Sequence, residues 1–237
     1  TRDEALSLLH GWNANLSLRK HGLLVEAGVR GYAADDGENA ATVDRWGIAG
    51  LLHDLDYERF PDPATHGAVA ADELIRLGYP DDVVQAVKSH NDALGIPRTT
   101  RLDHLVYACD ELAGFLVAVA LMRPSRRLAD VQAANVRKRM KDKAFARAVP
   151  RERTLAGLLA GGAHSGREPS GLVESCHGQR SSLRVDVQSA LDDDLSVGLP
   201  LDDMVVAPRR RREHLADPVG HDGDRPARGW LGETRDA

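Results

Sequence analysis

The stretch that decides the fold is residues 50–67, "GLLHDLDYERFPDPATHG". It begins inside an apolar helical run, and His53 and Asp54 follow before the apolar phase has ended. A buried imidazole and carboxylate are costly without partners, so this pair needs hydrogen bonds or a cation. His66 lies at the other end of the stretch, beyond a proline-rich turn that can fold the chain back.

Asp110 poses the same problem in a second apolar segment. Its neighbours one helical turn away are apolar or small: Val106, Tyr107, Ala113 and Gly114. His21 opens a third apolar helix face. Alone, each residue reads as a core histidine, a helix cap or a salt-bridge partner. Together they place imidazole and carboxylate donors on three apolar segments, a donor set that suits a divalent transition metal.

The periodicity of the first part of the chain predicts an all-α fold. No segment there alternates in the manner of a strand. We expect helices over residues 2–12, 20–34, 41–55, 66–78, 80–90, 101–122 and 125–149. Ser125 is the predicted N-cap of the last helix.

The chain divides into two unequal parts. Nine of its ten aromatic residues lie at or before Phe145, so we expect a domain over residues 1–152. Residues 153–237 mix Gly, Pro, Asp and Arg without sustained periodicity, which predicts a disordered or weakly ordered extension. So abrupt a change is also what translation of a GC-rich gene in a shifted frame would produce.

The composition of the chain limits the cellular compartments and the classes of binding partner that we expect. A net charge of −5 gives no general case for a nucleic-acid partner. The two cysteines, Cys109 and Cys176, are too few for a disulfide framework and fit a reducing compartment. The apolar run over residues 112–122 is too short to span a bilayer and reads as a buried helix. We therefore expect a cytoplasmic protein with no membrane partner.

The ordered set His21, His53-Asp54 and Asp110 resembles the HD-domain superfamily of metal-dependent phosphohydrolases. The surrounding sequences sharpen the resemblance: "KHGLLVEAGVRGYA" around His21, "WGIAGLLHDLDYERFP" around His53, and "VYACDELAGFLVA" around Asp110. They look closest to small bacterial HD/HDIG-type hydrolase proteins. The resemblance covers about residues 1–152.

This resemblance implies a compact helical bundle in which His21, His53, Asp54 and Asp110 bind a metal. His66 and His90 fall where binuclear members carry extra ligands, so a second ion held by Asp54, His66 and His90 is the preferred interpretation. The ion or ions would be Mn, Fe, Ni, Co or Zn. His53 and Asp54 are also the catalytic residues that the resemblance implies.

The implied activity is hydrolysis, through metal-activated water, of a small phosphorylated substrate such as a nucleotide. Two alternatives stay open: a di-iron oxygenase on the same scaffold, and a non-catalytic regulatory module with a bound metal. Asp56 stands where many relatives have glycine, and it either holds a metal-bound water or caps the helix before "ERFPDP". The sequence reveals neither the residues that bind substrate nor the oligomeric state, and Lys20, Lys88 and Arg123 are the cations considered for the phosphate.

Overall fold

The computed structural model describes residues 1–142 and 144–146, and this part of the chain is helical, with no strand. Its seven α-helices are α1 (Arg2–Trp12), α2 (Leu16–Asp35), α3 (Ala40–Leu52), α4 (Ala68–Arg76), α5 (Asp81–Ser89), α6 (Arg101–Leu121) and α7 (Ala133–Met140). Short 3-10 turns occur at Asp92–Leu94 and Leu128–Asp130. The prediction of an all-α fold is confirmed. The predicted boundary at residue 152 and the extension over 153–237 lie outside the described residues.

Capping side chains set where several helices begin. Thr1 and Glu4 form a capping box at the start of α1, and Thr100 and Asp103 form another at the start of α6. Asn15 accepts hydrogen bonds from the backbone N–H groups of Ser17 and Leu18. For that reason α2 begins earlier than predicted, with Asn15 as its N-cap.

The predicted last helix is wrong at its start. Ser125 does not cap it, because Arg126 has a φ of 52°, in the left-handed region that a right-handed helix cannot include. A 3-10 turn follows over Leu128–Asp130, and α7 begins only after Gln132. None of these residues contributes to the predicted metal site.

Helix α6 is the centre of the core. It packs against α2, α3, α5 and α7, and its fully buried side chains include Leu105, Leu112 and Phe115. By length and composition alone α6 could cross a membrane. However, 67% of its most apolar 18-residue stretch is buried inside the structure. Helix α6 is therefore a core helix of this domain. Cys109 is one of its buried small residues.

Helices α2 and α3 form the most extensive helix pair and set the spacing of the site. Their backbones approach closely at Gly22, where a Cβ atom would lie 2.7 Å from the carbonyl oxygen of Leu51. Only glycine permits that approach. Nearby on α2, the fully buried Glu26 pairs with Arg2 at 2.7 Å, which ties α1 to this pair. His21 is thereby held opposite the end of α3.

Candidate metal centre

Two of the histidines lie at the C-terminal ends of helices, and the same kind of hydrogen bond to a backbone carbonyl orients both rings. His53 is the C-cap of α3 and His90 is the C-cap of α5. The His53 Nδ1 lies 2.8 Å from the carbonyl oxygen of Gly50, and the His90 Nδ1 is hydrogen-bonded to the carbonyl of Val87. Each ring thus donates its Nδ1–H to a carbonyl left free at a helix end and turns its Nε2 the other way. The negative ends of both helices also favour a cation here.

The first ligand group consists of His21, His53, Asp54 and Asp110, which offer one atom each within 4.8 Å of one another. His21 Nε2 lies 3.2 Å from His53 Nε2 and 3.0 Å from Asp110 Oδ1. Asp54 Oδ2 lies 3.5 Å from His53 Nε2. Helices α2, α3 and α6 and the turn after α3 each deliver one member, so this group exists only in the folded chain.

The second ligand group consists of Asp54, His66 and His90. Asp54 turns its other oxygen, Oδ1, toward it, at 3.0 Å from His66 Nε2 and 3.4 Å from His90 Nε2. The two imidazole nitrogens are themselves 3.0 Å apart. Asp54 is therefore the carboxylate that the two groups share, one oxygen to each.

Asp56 is fully buried and lies behind His66 rather than between the two groups. Its Oδ1 accepts a hydrogen bond from His66 Nδ1 at 2.8 Å, and its Oδ2 accepts from the backbone N–H groups of Gly67 and Ala70. It therefore caps the start of α4, the helix that follows "ERFPDP". The expectation that it caps the preceding helix is wrong.

Asn91, which sequence reasoning missed, fastens the loop that carries His66. Its side-chain amide donates to the carbonyl oxygens of Pro63 and His66, both at 2.8 Å. Its Oδ1 accepts from the backbone of Ala93. The only sequence signal was an asparagine directly after His90, which by itself indicates a turn.

The donor set fits divalent cations. His53, His66 and His90 each use Nδ1 as a donor, so their Nε2 atoms face the cluster and present lone pairs to it whenever the rings are neutral. The lone pairs of neutral rings would repel at this separation, whereas ligands bound about 2 Å from one ion lie about 3 Å apart. The buried Asp54 Oδ1 also receives no well-directed hydrogen bond. Both features are satisfied by a cation within each group.

Protonation of the metal-free cluster follows from burial and charge. Burial opposes the charged form of His53, but Asp54 and Asp110 outweigh it and raise the pKa of His53 to about 9. Burial likewise opposes protonation of His66, yet Asp54 and Asp56 raise its pKa to about 9. Burial lowers the pKa of His90. Without a metal, protons on His53 and His66 balance the carboxylates.

One side of the cluster faces solvent. The side chains of His21, Asp54 and Asp110 are 12–13% exposed, whereas those of His53, His66 and His90 are at most 3% exposed. Among the described residues, the solvent-accessible part of the cluster is therefore formed by His21, Asp54 and Asp110.

The structure brings together all six residues that the sequence predicts as ligands. His10 and His104, which match no ligand position, belong to neither group. Of the cations considered for a phosphate, Arg123 lies just beyond the C-terminus of α6 and contacts Asn135 at 3.3 Å. Lys20 is buried on α2 directly before His21, and Lys88 lies in the last turn of α5, two residues before His90.

A family model described as "HD domain" matches residues 19–114, a segment that contains all six predicted ligands. No curated protein and no solved structure matches the sequence. The resemblance noted from the sequence is thus confirmed for this segment.

Proposed function

We propose that this chain, whose residues 19–114 form an HD domain, is a metal-dependent phosphohydrolase that acts on a small phosphorylated substrate. HD domains are usually phosphohydrolases. The observation that supports the proposal best is the position of Asp54, which offers one oxygen to each of two ligand groups. Two cations that share a carboxylate are a recurring arrangement for displacement at phosphorus.

The balance of charge supports two ions rather than one. Asp54, Asp56 and Asp110 together bring three negative charges to the cluster. One divalent ion would leave the cluster negative, and it would then repel a phosphate. Two divalent ions would leave it positive, so that it attracts the anion.

The protein residues have distinct tasks in this proposal. His21, His53, Asp54 and Asp110 would hold the first ion, and Asp54, His66 and His90 the second. Ions bound there would act as Lewis acids and lower the pKa of water. The exposed side formed by His21, Asp54 and Asp110 admits the substrate. We expect the substrate to be small and the reaction to take place in the cytoplasm.

Metal content tests the proposal first. Protein purified without chelator or affinity metal is expected to contain up to two equivalents of a transition metal by elemental analysis. Reconstitution with Mn²⁺, Co²⁺ or Ni²⁺ should bring the content to two. Less than one equivalent, with no gain on reconstitution, would contradict the site.

Activity is then measured on a panel of phosphomonoesters, phosphodiesters and nucleotides. Hydrolysis should depend on the added metal and fall to background in His53→Ala and Asp54→Ala. His104→Ala is the matched control, because His104 lies on α6 with Asp110 but belongs to neither ligand group. It should keep both metal content and activity.

Two results would replace the proposal with another function. Paired redox-active iron together with substrate-dependent oxygen uptake would indicate an oxygenase. Tight metal binding with no turnover on any ester would indicate a regulatory or structural metal.

A further inference from the structure

We propose that Asp56 is the positioning residue of the second ligand group and sets the affinity of that group for its ion through His66. The inference rests on the two-ion site of the proposed function. It concerns the binding of the second ion and not the reaction, so the two proposals can fail separately.

Asp56 determines which nitrogen of His66 faces the cluster. The carboxylate accepts the Nδ1–H of His66 at 2.8 Å, which fixes the tautomer and leaves the Nε2 lone pair directed at Asp54 and His90. A carboxylate behind a ligating imidazole also makes that imidazole a stronger donor. His53 and His90 rely on backbone carbonyls for this, so among these three histidines His66 alone has a charged partner on Nδ1.

Asp56 also fixes the backbone on which His66 stands. Both of its oxygens accept from the N–H of Gly67, at 3.2 and 2.9 Å, and Oδ2 accepts from Ala70 at 2.8 Å. His66 precedes α4: its own N–H donates to the carbonyl oxygen of Asp62 and its carbonyl accepts from Asn91, so Asp56 adds the hold on the peptide that follows it. The same carboxylate thus holds the ring, the next peptide and the first turn of α4.

The contacts of Asp56 stop at the second group. Its side chain accepts hydrogen bonds from His66, Gly67 and Ala70 and from no member of the first group among the described residues. The first group takes its geometry from α2, α3 and α6. Loss of the Asp56 carboxylate should therefore weaken the second ion and spare the first.

The test is a stepwise titration of the metal-free 237-residue chain with Co²⁺, monitored by calorimetry and by visible absorption. We compare wild type with Asp56→Asn and Asp56→Ala. Asparagine keeps the size and one acceptor, but it removes the charge and turns an amide toward the N–H groups of Gly67 and Ala70. We expect the second dissociation constant to rise about 10- to 100-fold in both variants, with the first constant unchanged. The visible absorption bands that appear when the second Co²⁺ ion binds should therefore need a higher Co²⁺ concentration in both variants.

Asp103→Asn is the matched control. Asp103 is also fully buried, and its Oδ2 accepts from the backbone N–H groups of Thr99 and Thr100 at the start of α6. Its loss should lower the melting temperature as capping losses do, and leave both Co²⁺ steps unchanged. The first Co²⁺ step serves in every variant as the check that the domain is folded, and Asp56→Asn carries the test if Asp56→Ala unfolds.

The outcomes separate cleanly. An unchanged second step in Asp56→Asn, an equal loss of both steps, or a wild type that binds only one ion would each overturn the inference. Selective loss of the second step supports it even if the wild type hydrolyses no ester, and in that case only the proposed function fails.

Discussion

Protons and metal ions compete for the same nitrogen atoms in this cluster. His53 and His66 have pKa values raised to about 9, so in the metal-free protein both are charged at neutral pH. A metal ligand must be a neutral imidazole, and each ion that binds therefore displaces protons. Metal affinity should increase as the pH rises toward 9.

The stability of the metal-free protein should change with pH in the opposite direction. The raised pKa values of His53 and His66 stabilise the fold fully below about 6.5, their ordinary value, and this contribution is lost as the pH rises to about 9. His90, whose pKa is lowered by burial, opposes this change only near pH 6.5, where it is partly protonated in the unfolded chain; above about pH 7.5 it is neutral in both states. The melting temperature of the metal-free protein should fall from pH 6.5 to 9, and that of the metal-loaded protein should fall less. Equal slopes for the two forms would contradict this prediction.

Gly67 joins the His66 loop to α4 with a φ of 83°, and a Cβ atom there would lie 3.3 Å from His90 Cε1. Gly67→Ala should cost about 1–2 kcal/mol for the left-handed backbone and also weaken the second ion by crowding His90. Gly37→Ala is the control, because its φ is 87° and nothing lies within 4 Å of its Cβ position. It should show a similar loss in thermal denaturation with no change in metal titration.

At the scale of elements, the contact of α2 with α3 fixes the distance between His21 and His53. Gly22→Ala would place a Cβ 2.7 Å from the Leu51 carbonyl oxygen and force the helices apart. We expect a loss of about 1–3 kcal/mol in the free energy of unfolding and weaker binding of the first ion. Chemical denaturation and Co²⁺ titration measure the two effects.

Gly11→Ala is the control for that helix substitution. Gly11 lies within α1, and no atom lies within 4 Å of its Cβ position. Alanine should stabilise α1 by about 0.5–1 kcal/mol and leave metal binding unchanged. Gly22→Ala and Gly11→Ala should therefore shift the denaturation midpoint in opposite directions.

The helices were predictable from sequence where apolar periodicity and local caps agree. Helix α1 matches its predicted bounds because Thr1, Asp3 and Glu4 signal its start locally. The start of α7 was not predictable, since it depends on the left-handed backbone at Arg126. The partner of Asp56 was not predictable either, because the hydrogen bond to His66 spans the irregular loop between α3 and α4.

At the scale of the whole molecule, the sequence predicted His21, His53, Asp54 and Asp110 as ligands because each is a polar residue in an apolar context. It predicted His66 and His90 only through the family resemblance. It could not assign one oxygen of Asp54 to each group, since that depends on where four helices and a loop converge. Nor could it separate the exposed from the buried side of the cluster. Both are properties of the assembled bundle and not of any one segment.

A fragment of residues 1–152 should retain the fold and the metal content of the full chain, because all six ligands and the core around α6 precede its end. A fragment that ends at residue 140 should be less stable, because it loses Phe145, whose ring packs edge-on against Phe115 with centroids 5.5 Å apart. That aromatic pair contributes about 0.5–1.5 kcal/mol beyond its buried area. Thermal denaturation and elemental analysis of both fragments test the prediction. A 1–152 fragment without metal would contradict it.

The loop over residues 53–67 has a further consequence for how the protein responds to its metal. It carries Asp54 near one end and His66 near the other, and its amides form local turn hydrogen bonds rather than a continuous helical ladder. An ion bound to both residues would close this loop as a crosslink does, and its departure would let the loop open without unfolding the bundle. Amide hydrogen exchange in the loop should therefore report occupancy of the second group, slow when that group holds an ion and fast when it does not.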